Sequence, residues 1–488
     1  MLHHDPSISS DPIENRPENH GQSTTNLLSS RGQTIEAINK LQKDYFDAGH
    51  TRPWETRDKN LRLLLEAIQD NKERILAAAA KDLGKPETES FITEYGFSLS
   101  EIRNLRKNLK RWMKPKRINP GILISPGKTR IVSEPLGQVL IIGPWNYPIQ
   151  LVLAPLVGAI AAGNCAVVKP SELTPNCSKL ICDILGEIFS EELIAVFEGG
   201  AQTSKELLNY RWDHIFFTGS TKVGRSVAER AAKTLSPTTL ELGGKSPCIV
   251  SEDCNLKLAA RRVTWGKFMN AGQTCVAPDY VLVHHNVKSE FLKLCTANVK
   301  QFYGEDPMKS RDYGRIVSKQ HCERLVNFVE SGRVYHGGVA NIEERYLSPT
   351  IMDIVDDNDP LMQEEIFGPI MPVIAYDNIA DVIKKVREKE RPLALYLFAK
   401  DEKVIEDISR NLSFGGGCIN DTIMQLVNHN MPFGGVGSSG IGSYHGPFSF
   451  DTFSHKKALV VQNSWFDIPL RYPPFNKLKA KVFEGLLG

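Results

Sequence analysis

Three observations predict an α/β protein built of more than one domain. From residue 138 onward, short apolar runs alternate with segments of helical spacing, which is the signature of parallel strands wrapped by helices. The 488 residues exceed what a single core serves. The composition, 41% hydrophobic and 24% charged, is that of a soluble globular chain.

The elements follow in chain order. Residues 1–30, "MLHHDPSISSDPIENRPENHGQSTTNLLSS", carry acidic residues, Pro and Ser without an apolar stretch. They predict a disordered extension and no signal peptide, with His3 and His4 in a solvated tail. Residues 34 to 114 read as helical: "RDKNLRLLLEAIQDNKERILAAAAKDL" spaces its apolar residues for one face, and Gly84-Lys85-Pro86 stops it. From Pro135 to Val168 no residue is charged, and "QLVLAPLVGAIAAG" imitates a membrane span. Gly143, Pro144, Pro148 and Gly163-Asn164 instead divide that run into a strand, a turn, a buried helix and a second strand. Strand "CAVVK", helix "NCSKLICDILGEIF", strand "IAVFEG", helix "SKELLNY", strand "HIFFT", helix "KVGRSVAERAAK" and strand "TTLEL" then alternate. Such a sheet places its ligand at the carboxyl ends of the strands. A second α/β stretch covers roughly residues 245–425.

Bulk properties exclude several functions. A net charge of +2 with no long basic run gives nucleic acid no electrostatic footing. The nine cysteines form no CxxC pair, are odd in number and irregular in spacing. They predict reduced thiols in a cytoplasmic setting, with neither a disulfide framework nor a metal site.

Six segments could carry chemistry. In "VVKPSE", Lys169 and Glu172 leave a strand three residues apart, where a cation and a carboxylate could bond the two hydroxyls of an adenine nucleotide's ribose. Two solvated charges are the plainer reading. Gly219-Ser220 sit where a strand turns into a helix, a place for a phosphate or for an ordinary turn. The pattern nearly matches a P-loop, but Arg225 stands where the lysine is required. In "TLELGGKSP", Glu241 lies in an apolar strand before two glycines; lost hydration would raise its pKa toward that of a general base. "WGKFMNAGQTC" leads a helix into a small-residue turn at Cys275, where nearby amide dipoles could stabilise a thiolate. "EEIFGP" at 364–369 and "MPFGGVGSSGIGSYHG" at 431–446 are the remaining dense patches. The second predicts a loop packed against another backbone or a subunit contact. His429 and His445 nearby read as structural.

Together, and in this order, these segments resemble the aldehyde dehydrogenase superfamily over residues 31–463. "LELGGKSP" and "FMNAGQTC" are similar to its two active-site signatures, and "PWNYP", "KPSE", "FTGS" and "EEIFGP" to its other landmarks. "SYHGPFSFDTFSHKK", "RYPP" and the short segment before the sheet resemble the class-3, or fatty-aldehyde, branch. The resemblance implies a Rossmann-like cofactor domain (31–118 and 137–241) and an α/β catalytic domain (242–425). It also implies a small β oligomerisation arm and an active-site closing segment (119–136 and 426–463), followed by a C-terminal tail (464–488). The implied activity is oxidation of an aldehyde to the acid with NAD, or with NADP, through a cysteine thiohemiacetal and thioester.

By matching position the resemblance makes Cys275 the nucleophile, Glu241 the base and Asn146 the oxyanion-hole amide. Lys169 and Glu172 would meet the adenosine ribose. Gly219, Ser220 and Gly224 would border the pyrophosphate. Glu365 would hold the nicotinamide ribose with Phe367 against the ring, and Trp145 and Leu242 would complete the cofactor pocket. Glu172 would repel a 2′-phosphate, favouring NAD. The implied partners are a second copy of the chain and a hydrophobic aldehyde, medium- or long-chain aliphatic foremost.

Two other functions would use the same scaffold. A relative passing its thioester to coenzyme A generally lacks the base that Glu241 supplies here. A non-catalytic binding protein would have no use for Cys275, Glu241 and Asn146 together. The tail "PPFNKLKAKVFEGLLG" predicts an amphipathic helix that touches a membrane, caps a substrate funnel or packs on its own subunit.

Overall fold

The computed structural model describes residues 27–121, 124–330, 332–354 and 359–487. Residues 1–26 of the expected extension lie outside that range. Residues 27–30 depart from the expectation: Ser29 is buried, and the Ser30 N–H donates to Val196 O at 2.8 Å. The backbone there pairs with the sheet, which a disordered segment cannot do.

Helices Ile35–Asp47, Trp54–Asp70, Lys72–Leu83 and Phe97–Trp112 form the expected helical region. Between the last two, a short helix Glu87–Ser90 runs into a π-helical turn, Phe91–Gly96. The charge-free run divides as predicted. Strand Gln138–Ile142 is followed by helix Gln150–Ala162, whose 13 residues are all buried, and by strand Cys165–Lys169. Gly163 ends the helix at φ 92, a left-handed turn that favours glycine. Its apolar surface is covered by protein on every side. Among the described residues no helix is long and apolar enough to cross a membrane.

The first sheet has six strands in the order Gly440–Ile441, Thr238–Glu241, His214–Thr218, Gln138–Ile142, Cys165–Lys169 and Ile194–Val196. All pair in parallel except Gly440–Ile441. The chain starts at Gln138–Ile142, moves outward on one side, then returns to build the other. That reversal opens a crevice at the carboxyl ends beside Ile142. The second sheet orders Val334–His336, Thr350–Ile354, Ile370–Tyr376, Tyr280–His284, Pro247–Val250, Ala394–Phe398 and Gly416–Ile419. A three-stranded antiparallel arm joins Lys116–Ile118, Lys128–Pro135 and Ser454–Val461. Residues 116–118, expected in the cofactor domain, therefore pair within the arm. The terminal helix Lys477–Leu487 lies on the surface, with Leu478 exposed.

Candidate active site

One cavity of about 1080 Å³ lies between the two sheets. The first sheet meets it with the carboxyl ends of its strands, as expected: Ile142 to Asn146, Lys169, Ser171 to Leu173, Phe217 to Val223 and Glu241 to Lys245 line it. The second sheet does the opposite. Cys275 precedes strand Tyr280–His284, and Glu365 precedes strand Ile370–Tyr376, so its contribution comes from amino ends. The carboxyl-end rule therefore holds for only half of the site.

Cys275 reaches the cavity through an unusual turn. After helix Leu256–Phe268, Asn270 and Ala271 both take left-handed backbone conformations, φ 52 and 50. Such residues cost on the order of 1–3 kcal/mol each and persist only where neighbours fix them. Here Gln273 does so with Nε2 bonds to Asn270 O and Arg315 O, both 3.0 Å, while its Oε1 accepts from the Val317 N–H at 2.9 Å. Gly272, at φ 74, lies so close to the Gly368 carbonyl that no side chain fits. The "NAGQTC" turn is thus packed on "IFGP", and Cys275 stays partly exposed at the cavity wall.

Cys275 departs from one expectation. The backbone N–H groups of Cys275 and Val276 do favour its charged form, but burial, then the carboxylates of Glu365 and Glu241, outweigh them. The net effect pushes the thiol up to about 12, so the resting group is a thiol rather than a thiolate.

Glu241 ends its strand 2% exposed, and among the described residues neither carboxylate oxygen has a hydrogen-bond partner. Burial pushes its pKa well above the usual carboxylate range, as its strand position predicts. Asn146 is buried as well and lines the same cavity. Its Nδ2 donates to Gln273 O at 3.0 Å, and its own carbonyl accepts from Asn270 Nδ2 at 2.8 Å. Trp145 and Phe367 meet edge to face, ring centroids 5.2 Å apart. Lys169 Nζ lies 2.8 Å from Glu172 Oε2, with the lysine 3% and the glutamate 43% exposed. Burial, then Asp279, raises Glu365 to about 8, while the Gly244 N–H and the cations of Lys245 and Lys267 oppose the rise.

The aldehyde dehydrogenase family matches residues 9–459. The chain belongs to that family. The 4,4'-diaponeurosporen-aldehyde dehydrogenase of Staphylococcus aureus is 45% identical over 445 residues, 91% of this chain and 97% of that protein. The dimeric NADP-preferring aldehyde dehydrogenase of Mus musculus is 43% identical, covering 90% of this chain and 98% of its own. The substrate-bound state of Staphylococcus aureus AldH aligns with a TM-score of 0.92 at 43% identity, over 93% of this chain and 100% of that one. This chain is an aldehyde dehydrogenase of the class-3 branch, oxidising aldehydes with NAD or NADP.

Within this dehydrogenase the glycine turn is organised differently from the sequence expectation. The Gly219 N–H is engaged by Glu241 O at 3.0 Å, which leaves Ser220 and the first turn of helix Thr221–Thr234 to face the cavity. Gly224 does not line the cavity. A Cβ there would collide with Leu242, so this glycine lets the helix approach the strand end closely. Arg225 points to Glu390 at the surface, 3.3 Å away, and takes no place of a phosphate-binding lysine.

Several participants escaped the sequence reading. Lys85 and Glu94 lie behind Asn146, and His321 contacts Trp145 edge to face at 5.3 Å. The glycine-rich closing segment packs on backbone: Ile441 pairs with Leu240, and the Leu242 N–H donates to Ser439 O at 3.1 Å. The segment is tied to helix Phe97–Trp112 through buried Glu101. One oxygen of Glu101 accepts from the Gly446 N–H at 2.9 Å. The other comes within 2.7 Å of His429 Nδ1, a close contact off the line of a good hydrogen bond.

Proposed function

We propose that Cys275, Glu241 and Asn146 carry the oxidation, and that the physiological substrates are hydrophobic aldehydes. The observation behind the site assignment is that these three side chains, set far apart in the chain, open into one cavity together with Glu365 and Phe367. The Cys275 sulfur bonds to the carbonyl carbon as its proton is lost to solvent. One Asn146 Nδ2 proton is held by Gln273 O, leaving the other for the carbonyl oxygen beside the Cys275 N–H. Each such donor is worth roughly 2.7–4 kcal/mol of barrier. Once a hydride has left that carbon and the Cys275 thioester has formed, Glu241, whose raised pKa makes it a fit acceptor, takes a proton from the water that opens the thioester and passes it to the departing sulfur, releasing the acid and restoring the thiol.

The lining fits a nicotinamide dinucleotide, which when bound supplies the hydride acceptor. Lys169 and Glu172 suit the adenosine ribose, and the first turn of helix Thr221–Thr234 suits the pyrophosphate. Glu365 and Phe367 suit the nicotinamide half. Lys205, Lys222 and Arg230 also line the cavity and offer cations to a 2′-phosphate, compatible with either cofactor.

Support for a hydrophobic substrate comes from residues beside the nucleophile's loop. Gln425 Nε2 donates to Tyr396 OH at 3.0 Å, and that hydroxyl donates to Val276 O at 2.6 Å. The segment so anchored exposes Met424, Val427 and Met431. The name of the Staphylococcus aureus relative, which specifies a 4,4'-diaponeurosporen-aldehyde, agrees with that surface. A homodimer is part of the same reading. Among the described residues strand Ser454–Val461 has one edge without a neighbouring strand, and it exposes Val460 and Val461, a template for a second chain.

The test is a panel of aldehydes of increasing chain length, followed by nicotinamide reduction. Rising kcat/KM with apolar length supports the substrate reading, and a preference for short polar aldehydes contradicts it. Wild-type turnover in Cys275→Ala contradicts the assignment of the nucleophile.

A further inference from the structure

We infer that the buried Lys85–Glu94 ion pair positions Asn146 for catalysis, an inference that rests on Asn146 being the oxyanion donor. Both side chains are 0% exposed, with Lys85 Nζ 2.7 Å from Glu94 Oε1. The ammonium also donates to the backbone carbonyl of Asn146 at 3.1 Å and sits 4.1 Å from the Tyr147 ring centroid. The second oxygen, Glu94 Oε2, accepts from the Ile149 and Gln150 N–H groups at 3.1 and 3.0 Å. The pair therefore grips the turn from both ends: the carbonyl of residue 146 on one side, the amides that open helix Gln150–Ala162 on the other.

The local backbone is arranged to make this grip. Gly84 ends helix Lys72–Leu83 in a left-handed conformation, φ 57, after which Lys85 is fully buried. Glu94 falls in the π-helical turn Phe91–Gly96, an irregularity often found where a helix serves a site. The turn that carries Asn146 is tied to the nucleophile's loop by Tyr147 OH, 2.6 Å from Thr274 Oγ1, and by Asn270 Nδ2, which shares the Asn146 carbonyl with Lys85. Lys85 and Glu94 do not line the cavity, so they act on the reaction through Asn146.

Stability alone is a poor reason to keep such a pair. Two buried charges lose hydration, and an apolar pair of similar volume is often as stable. What an apolar pair cannot do is hold the Asn146 carbonyl. A catalytic group displaced by about 1 Å can lose a hundredfold in rate.

The test compares Lys85→Met, the charge-free double variant Lys85→Met/Glu94→Gln, Asn146→Ala and Lys85→Met/Asn146→Ala. We expect kcat to fall about a hundredfold in Lys85→Met, with the KM for nicotinamide cofactor unchanged. The charge-free double variant, which leaves no carboxylate buried alone, should regain the wild-type melting temperature while kcat stays low. Lys85→Met should add nothing to Asn146→Ala. Recovery of kcat in the charge-free variant would reduce the pair to a structural role and overturn the inference. Multiplying losses in the Asn146 background would overturn it as well. An unchanged kcat in Asn146→Ala alone would instead remove the oxyanion reading, and this inference with it.

Discussion

The carboxylate of Glu365 lies directly on the Cα of Gly243, where any side-chain carbon would collide with it. The Gly244 N–H stabilises that carboxylate. The loop carrying it is fastened by Lys245, which pairs with Asp279 and donates to the carbonyls of Leu361 and Glu364 at 2.7 and 2.8 Å. Asp279 in turn accepts from the Ile366 N–H at 3.0 Å. The segments "LELGGKSP" and "EEIFGP" are thus one unit, joined where a glycine leaves room. Gly243→Ala is expected to displace Glu365 and cost about a hundredfold in kcat/KM for the cofactor. In steady-state kinetics, Glu365→Ala should add little to that variant; independent, multiplying losses would show that the two do not act together.

The pH dependence of Cys275 follows from its surroundings. Burial and the two carboxylates hold the thiol up at about 12, against an ordinary 9.0, so the cofactor-free enzyme carries a neutral thiol throughout the physiological range. Its alkylation by iodoacetamide should still be rising above pH 9.0. Glu365→Gln removes a like charge and should move that rise to lower pH. A rate that levels off below pH 9.0 in the wild type would contradict the assigned environment.

Glu172 sets cofactor choice in this account. Its half-exposed carboxylate pairs with Lys169, and a 2′-phosphate brought beside it would be repelled. Glu172→Gln is expected to raise kcat/KM for NADP relative to NAD on the order of tenfold, about 1.4 kcal/mol. An unchanged ratio would mean the side chain swings clear of the ribose.

Glu101 links acid stability to the closing segment. Burial alone would raise its pKa, but contacts from His429 and His445 and the Gly446 N–H outweigh burial and hold it at about 2, against 4.5 for a free glutamate. A depressed carboxylate stabilises the fold above its unfolded pKa, and that contribution disappears as pH falls through the folded one. The unfolding free energy of the wild type should exceed that of Glu101→Gln by about 3 kcal/mol above pH 4.5, and the gap should close toward pH 2. A gap independent of pH would contradict the ionised state.

Much of this was legible in the sequence because strand, glycine and charge patterns are local. The strands from Gln138 to Glu241, the turn before Cys275 and the burial of Glu241 each follow from neighbouring residues. What escaped depends on distant contacts. Lys85 reads as part of a helix stop, since nothing adjacent shows that its ammonium reaches a carbonyl 61 positions later. Glu94 belongs to a π-helical turn that no apolar spacing announces. Gly224 looks like a phosphate glycine but answers to the bulk of Leu242, a packing demand from another element. The use of amino ends by the second sheet follows from how the sheets face each other, which no single segment encodes.

The most direct measurement traps the intermediate. Glu241→Gln leaves Cys275 in place but removes the acceptor for the hydrolytic proton. Quenched after mixing with aldehyde and NAD, then digested, it should show one acyl group on the peptide containing Cys275, with a single equivalent of reduced nicotinamide and no continued turnover. An acyl group on another residue, or sustained turnover without the carboxylate, would contradict the account.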